Sequence, residues 1–242
     1  MSLVSKANMQ SIKILAFDVF GTVVDWHTGV MRETQALLPA IDANAFALAW
    51  RNGYVPAMAK VMSGQKPWTL IDDLHRQILD DILLDFGVSH LSEEQKIQFN
   101  KVWHRLPAWS DTVQGMLALK QQYVLTSLSN GNIALLTHMA KNAQLPWDCI
   151  LSAENFHQYK PSPATYLGVA KIFDVLPSQV LMVAAHQDDL LAAKNCGLKT
   201  AYIERPLDFG RTCIKDVSDN GMNDFHAKDL IDLASQLGVQ SR

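Results

Sequence analysis

Cysteine is scarce in this chain, three in 242 residues, and Cys149, Cys196 and Cys213 lie far apart with no CxxC pair among them. Three thiols cannot all pair within one chain, so reduced cysteines in a cytoplasmic compartment are expected. A strong charge of either sign is also missing: 21 Lys and Arg against 24 Asp and Glu leave a formal net charge of -3. That balance gives no general electrostatic reason to expect nucleic acid or an anionic membrane as partner, and a small molecule is the better expectation. Long apolar runs are absent as well. Residues 1–12 mix Ser, Lys, Asn and Gln with isolated apolar residues and lack the apolar stretch of a signal peptide. No later segment approaches the roughly 20 apolar residues that span a bilayer. The expectation is a soluble, unexported protein without internal repeats or low-complexity tracts. With 48% apolar and 19% charged residues, the chain can bury a large core, and its length suits one domain plus an insertion.

Short apolar runs that suit buried strands occur at Ile12–Phe20, Tyr123–Leu128, Cys149–Ser152, Val180–Ala184 and Thr200–Ile203. Helical patterns separate the later ones, at Asn132–Ala143, Pro163–Phe173 and Leu190–Cys196. This alternation predicts an α/β fold with a Rossmann-like parallel sheet, whose ligands sit beyond the carboxyl ends of the strands. Thr200 onward is expected to close the sheet, followed by a flexible loop around Asp219–Asn223 and a last helix over Ala227–Leu237.

Residues from about Trp26 to Leu106 break the alternation. Ala45–Met62, Thr69–Phe86 and Ser92–Trp103 carry apolar residues at spacings of three and four, and Ser92-Glu93-Glu94-Gln95 reads as a capping box. Residues 26–106 are therefore expected to form a helical-bundle cap inserted after the first strand, with residues 1–25 and 107–242 forming the α/β core. Leu70, Leu74, Ile78 and Ile82 read as bundle core.

Asp18 interrupts the first apolar run near its end, before Gly21-Thr22 closes it, and an unpaired carboxylate there would be costly. Two readings fit it: a reactive group, or a cap for the amides of the following Gly21-Thr22 turn. Lys160, in Tyr159-Lys160-Pro161, is a candidate counter-charge for Asp18 or an ordinary surface lysine. Four segments follow strands in chain order: Phe17-Asp18-Val19-Phe20-Gly21-Thr22, Ser129-Asn130-Gly131, Lys160-Pro161 and Asp188-Asp189. Together they resemble the four motifs of the haloacid dehalogenase superfamily, and the likeness covers nearly the whole chain, including the position of the helical insertion. The resemblance implies that Asp18 attacks an electrophile to form an ester, that Ser129 and Lys160 hold anionic groups, and that water hydrolyses the ester.

Most members of that superfamily are phosphatases, and this chain departs from them at two places. The residue two after the nucleophile, usually an Asp that protonates the leaving group, is Phe20. The position four before Asp189, usually an Asp that binds magnesium, is Ala185, which cannot ligate a hard cation. Halide leaves without a proton, and carboxylate attack on carbon needs no metal, so metal-free, cofactor-free cleavage of a carbon–halogen bond fits both departures. Leu128-Ser129-Asn130-Gly131-Asn132, Tyr159-Lys160-Pro161 and Tyr166 further resemble the type II 2-haloacid dehalogenases.

That resemblance assigns Arg51, in Ala49-Trp50-Arg51, to the departing halide, for which a planar guanidinium is well suited; a solvated helix face is the plainer reading. It assigns Asp189 to water activation. It implies binding roles for Phe20, Thr22, Ser129, Asn130 and Tyr166, and a substrate carboxylate held by Ser129, by the amides after Asp18 and by the helix start near Asn132. Ala184 and His186 stand where the best-known relatives carry Ser and Asn, so His186 is expected to assist the water or contact substrate, while Asp188 either shares that task or merely neighbours a helix cap. Trp50, Tyr54, Trp68 and Phe20 line an apolar pocket or simply pack the cap. The rivals are a phosphatase, a phosphonatase using Lys60 or Lys66 as a Schiff base, and a non-catalytic binding module. A homodimer is common among relatives and is one assembly the resemblance implies.

Overall fold

The computed structural model describes residues 12–239; the amino-terminal segment read for a signal peptide lies almost wholly outside them. Six strands form one parallel sheet in the order β3-β2-β1-β4-β5-β6. They are β1 (Ile14–Phe17), β2 (Val124–Ser129), β3 (Cys149–Ser152), β4 (Val180–Ala184), β5 (Lys199–Ile203) and β6 (Phe225–Ala227). All four side chains of β1 are buried. Leu15 and Phe17 pack into the apolar cluster on one face of the sheet, Ile14 and Ala16 into the cluster on the other. A strand covered on both faces needs this continuous apolar run, which is why its sequence does not alternate.

Chain order reverses at β1, which pairs with β2 on one side and β4 on the other. A crevice opens at such a switch point beyond the carboxyl ends of the strands. Asp18 is the first residue past the end of β1, and its amide donates to the Val183 carbonyl of β4 at 3.0 Å. The nucleophile candidate is thus fixed to the middle of the sheet by backbone bonding.

Between Phe20 and β2 come α1 (Trp26–Leu37), α2 (Ala43–Met62), α3 (Ile71–Asp85), α4 (Glu93–Asn100), a 3₁₀ turn (Lys101–His104) and α5 (Thr112–Leu119). Local chemistry starts several of them. Asp25 and Asp42 accept the Thr28 and Ala45 amides at 3.0 Å, and the expected capping box is formed by Ser92 and Gln95. The inserted helices pack around fully buried Trp26, Trp50 and Trp103, with Phe46 and Phe99 in edge and stacked contacts. The insertion is joined to the sheet side by the Tyr159 hydroxyl, which donates to the Thr69 carbonyl at 2.6 Å, and by Asn132, whose amide donates to Asp72 at 3.1 Å.

After β2 follow α6 (Ile133–Ala143), α7 (Pro163–Ile172), α8 (Gln187–Asn195) and α9 (Leu230–Gln236). Two expectations at the carboxyl-terminal end are corrected. The sheet does not close at Thr200–Ile203, because β6 adds an edge strand by pairing Ala201 with Phe225 and Ile203 with Ala227. Consequently the last helix starts at Leu230 and not at Ala227. A three-residue strand containing His226 gave no apolar run to read, and only pairing to β5 makes it a strand. No described helix is long and apolar enough to cross a membrane, and all three cysteines are free thiols.

Candidate active site

A cavity of about 210 Å³ lies beyond the carboxyl end of β1, lined by Asp18, Phe20, Arg51, Tyr54, Val55, Met58, Asn130, Lys160, Pro161, Tyr166, His186, Asp188 and Asp189. The loops after four strands, the inserted helix α2 and the helices α7 and α8 supply these residues, so positions spread over 172 residues of chain, from 18 to 189, meet in one small space.

Asp18 is 7% exposed and every carboxylate oxygen is met by a donor. Lys160 Nζ donates to Oδ1 at 2.9 Å. Thr22 Oγ1 donates to Oδ2 at 2.8 Å, and His186 Nδ1 approaches the same oxygen at 3.1 Å. Burial alone would raise the Asp18 pKa, but the Lys160 ammonium and the His186 ring outweigh it and hold the carboxyl well below the usual carboxylate range. Asp18 is therefore an anion, and the plainer reading of it as a loop cap is not what its side chain does. Lys160, whose burial would lower its pKa, is held above the ordinary lysine value by Asp18 and Asp189.

Asp189 shares that ammonium at 2.5 Å and accepts the Tyr166 hydroxyl at 2.6 Å. Burial pushes its carboxyl up, and Lys160 offsets this only in part because Asp18 repels the second charge. Asn130 fixes the lysine by accepting the Lys160 amide at 2.7 Å. The guanidinium of Arg51 lies 4.5 Å from the centre of the Tyr54 ring and 5.8 Å from that of Trp26. Its buried Nε has no hydrogen-bond partner. Of the cations lining the cavity, Lys160 and His186 are paired with carboxylates, whereas Arg51 has none among the described residues.

Several expected contacts take another form. Ser129 does not line the cavity: it is buried, and its hydroxyl accepts the Gly131 amide at 3.2 Å, closing the turn after β2. The start of α6 is also occupied, since Glu154 accepts the Ile133 amide at 2.7 Å and already supplies the anion that this helix end favours. The Ser129 hydroxyl keeps its own proton to donate, whereas the helix start is already taken by Glu154. Thr22 faces away from the cavity, bridging Asp18 to the Ala185 amide, which donates to its hydroxyl at 3.0 Å. Trp50 is fully buried with its indole donating to the His75 carbonyl at 2.9 Å, and Trp68 packs on Tyr159 at 4.8 Å; of the aromatic set only Phe20 and Tyr54 line the cavity. Lys60 is exposed and Lys66 donates to Gln77 at 2.5 Å, so neither reaches the site as a Schiff-base lysine would have to. Asp188 lies exposed in the first turn of α8 at the rim.

Sequence reading missed Asp208. It is fully buried beyond β5, accepts from His186 Nε2 at 3.0 Å and from the Trp26 indole at 2.8 Å. Its segment is anchored by Arg205, which forks onto Asp111 at 2.9 and 2.8 Å and reaches the Thr22 carbonyl at 2.9 Å. No motif surrounds Asp208 in the sequence, and only the tertiary partners reveal it.

A family model for haloacid dehalogenase-like hydrolases matches residues 12–197. The chain belongs to the haloacid dehalogenase-like hydrolase family. Among solved structures it resembles an L-2-haloacid dehalogenase at 44% identity and a TM-score of 0.89, covering 93% of this chain and 99% of that one. A defluorinating L-2-haloacid dehalogenase is 39% identical with a TM-score of 0.91, over 94% of this chain and 96% of the other. The (S)-2-haloacid dehalogenase 4A of Burkholderia cepacia is 27% identical over 205 residues, which is 81% of this chain and 85% of that protein. Within this family the Asp18 carboxylate stands where the attacking group is expected. Phe20 occupies the cavity wall where a phosphatase member would present an acid.

Proposed function

We infer that this chain is a hydrolytic dehalogenase of small 2-haloacids, converting haloacetate or L-2-halopropionate to the 2-hydroxy acid through an ester on Asp18. The observation that carries the reading is the pairing of a buried, ionised Asp18 with an unpartnered Arg51 across a small cavity walled by Phe20, Tyr54 and Met58. An anion is available to attack, a cation is available to receive an anion, and Phe20 fills the position where a phosphatase of this family would present its acid.

Asp18 displaces halide from C2 in line, with inversion. Arg51 and Asn130 receive the two anionic ends that the substrate brings, the leaving halide and the carboxylate. Lys160 spreads its charge over Asp18 and Asp189, keeping Asp18 ionised before attack and stabilising negative charge on the ester carbonyl afterwards. Thr22 and Tyr166 orient the two carboxylates. Water then attacks the carboxyl carbon of Asp18 and leaves C2 untouched. In this reading residues 26–106 are the cap that closes the cavity, residues 1–25 and 107–242 are the catalytic core, and the enzyme works in the cytoplasm, where its free thiols stay reduced. A homodimer is the assembly proposed for it.

Halide release from chloroacetate, L-2-chloropropionate and fluoroacetate, measured with a chelator present and beside an aryl phosphate with magnesium, tests the reading. Halide without phosphate hydrolysis is expected, and Asp18→Asn should abolish it while leaving the fold intact. A single turnover in heavy-oxygen water should label Asp18 and not the first hydroxy acid. Phosphate hydrolysis alone, or label appearing directly in that product, would overturn it.

A further inference from the structure

We propose that His186, oriented by Asp208, is the base that activates water against the Asp18 ester. The proposal rests on the haloacid reading above and assigns the second half of that reaction. Asp189, the family's expected water-activating group, has each oxygen committed to a donor: Tyr166 on Oδ1 and Lys160 on Oδ2. Both bonds are short and hold the carboxylate between Lys160 and Tyr166. His186 lines the same cavity, with Nδ1 at 3.1 Å from Asp18 Oδ2 and Nε2 at 3.0 Å from Asp208 Oδ2. It is the group nearest the future ester that can both gain and lose a proton near neutrality.

The surroundings are built to hold that geometry. Trp26 occupies Oδ1 of Asp208, and Lys215 Nζ lies 3.7 Å from Oδ2, the oxygen facing His186, while donating to the Ala185 carbonyl. Gly21 has φ +84°, and a Cβ there would come within 2.2 Å of Asp208 Oδ1. Only glycine both adopts that backbone conformation and leaves room for the carboxylate. A buried aspartate behind one imidazole nitrogen fixes the ring and its tautomer, as in other acid–histidine pairs.

The reaction balances. In the resting site a carboxylate stands at each ring nitrogen, so His186 carries both protons; burial would lower its pKa, but Asp18 and Asp208 carry it up to about 9. Asp18 attacks C2, the carbon–halogen bond breaks with its electron pair on the halide, and Asp18 becomes a neutral ester. The Nδ1 proton, having lost its anionic partner, goes to solvent and accounts for the acid released with halide. Neutral His186 then takes a proton from water through Nδ1 as the water oxygen bonds to the Asp18 carboxyl carbon. The tetrahedral adduct expels the C2 alkoxide, which takes that proton back from Nδ1. Asp18 is left as the acid and returns its proton to His186, restoring the starting pair. The groups that face the imidazole and set this titration are Asp18 and Asp208 directly, Lys160 beyond Asp18, Lys215 beyond Asp208, and Asp188 at the cavity rim.

The test is a chloroacetate single turnover with the whole chain, quenched and read twice: halide in solution, and the mass of the peptide containing Asp18. His186→Asn, at a side chain one-fifth exposed, should release one halide per site yet hydrolyse the ester about 10²-fold more slowly, so that alkylated Asp18 accumulates. Added imidazole should restore part of the rate. Asp208→Asn should also accumulate ester, and the acid limb of its hydrolysis profile should move to lower pH, because removing the carboxylate makes the imidazole less basic; a merely structural residue would not move that limb. Normal halide release with no ester in His186→Asn, or ester trapped only in Asp189→Asn, would overturn the dyad while leaving the dehalogenase reading intact. No halide from the unaltered enzyme would overturn both.

Discussion

Lys160→Met tests the electrostatic centre of the site. The substitution keeps an unbranched stem of similar length and removes one charge that two carboxylates share at 2.9 and 2.5 Å. Exposure of the three side chains is 8–10%, so solvent screens the loss little. Removing one partner of a buried ionic group costs about 3–5 kcal/mol, most of it from leaving charge uncompensated. Asp18 keeps His186 and Thr22, whereas Asp189 keeps only Tyr166, so most of the loss belongs to Asp189. The pH dependence follows by linkage. In the unaltered protein the Asp18 carboxyl is held below its ordinary 3.8, so its contribution is present above that value and lost as pH falls. In the variant the stranded Asp189 is raised further and binds a proton more tightly folded than unfolded, so the variant gains relative stability as pH falls. Both effects widen the gap between the proteins with rising pH. Urea unfolding at about pH 7 and about pH 4 should show the full difference at the first and a much smaller one at the second. A difference below about 1 kcal/mol, the scale of an exposed pair, or one equal at both pH values, would refute the reasoning.

Arg51→Lys should slow halide release by about 10²-fold, because a point charge does not reproduce a planar donor stacked on Tyr54; unchanged turnover of fluoroacetate, with its poor leaving group, would remove Arg51 from the halide's path. Thr22→Val leaves the buried Ala185 amide without an acceptor and should cost about 1–3 kcal/mol in thermal or chemical unfolding, along with activity; an unaltered melting curve would contradict that bond. The acid side of the halide-release profile in single turnovers should show no limb centred at or above 3.8, since Lys160 and His186 keep Asp18 ionised below that value; a limb near or above it would mean that the carboxylate is not held as described.

Much of this protein is legible from neighbours along the chain. The buried strand Ile14–Phe17 and the helix caps at Asp42 and Ser92 each depend on residues within a few positions, where apolar pattern and hydrogen-bonding side chains act directly. The family follows from the same local segments, because its reactive groups sit one per strand end in chain order. The identity of the partners does not. Lys160 and Asp18 are 142 residues apart and His186 and Asp18 168, and parallel strands joined by crossover helices bring them together only once the sheet forms. Ser129 and Thr22 read as substrate ligands because their hydroxyls flank the motif, yet each satisfies a buried backbone amide of the folded loops. Glu154 captures the start of α6 across a loop, and β6 is a strand only because β5 offers it an edge. Asp208 is the clearest case. Nothing in its own segment marks it, and its role arises from burial against Trp26, Gly21 and His186. Sequence alone therefore determined most of the elements and the family, and pointed to Asp18 as the candidate attacking residue, because these depend on local chemistry. Only the tertiary structure decided which charges meet and which side chains face the cavity, because burial and long-range pairing belong to the folded sheet and not to any stretch of chain.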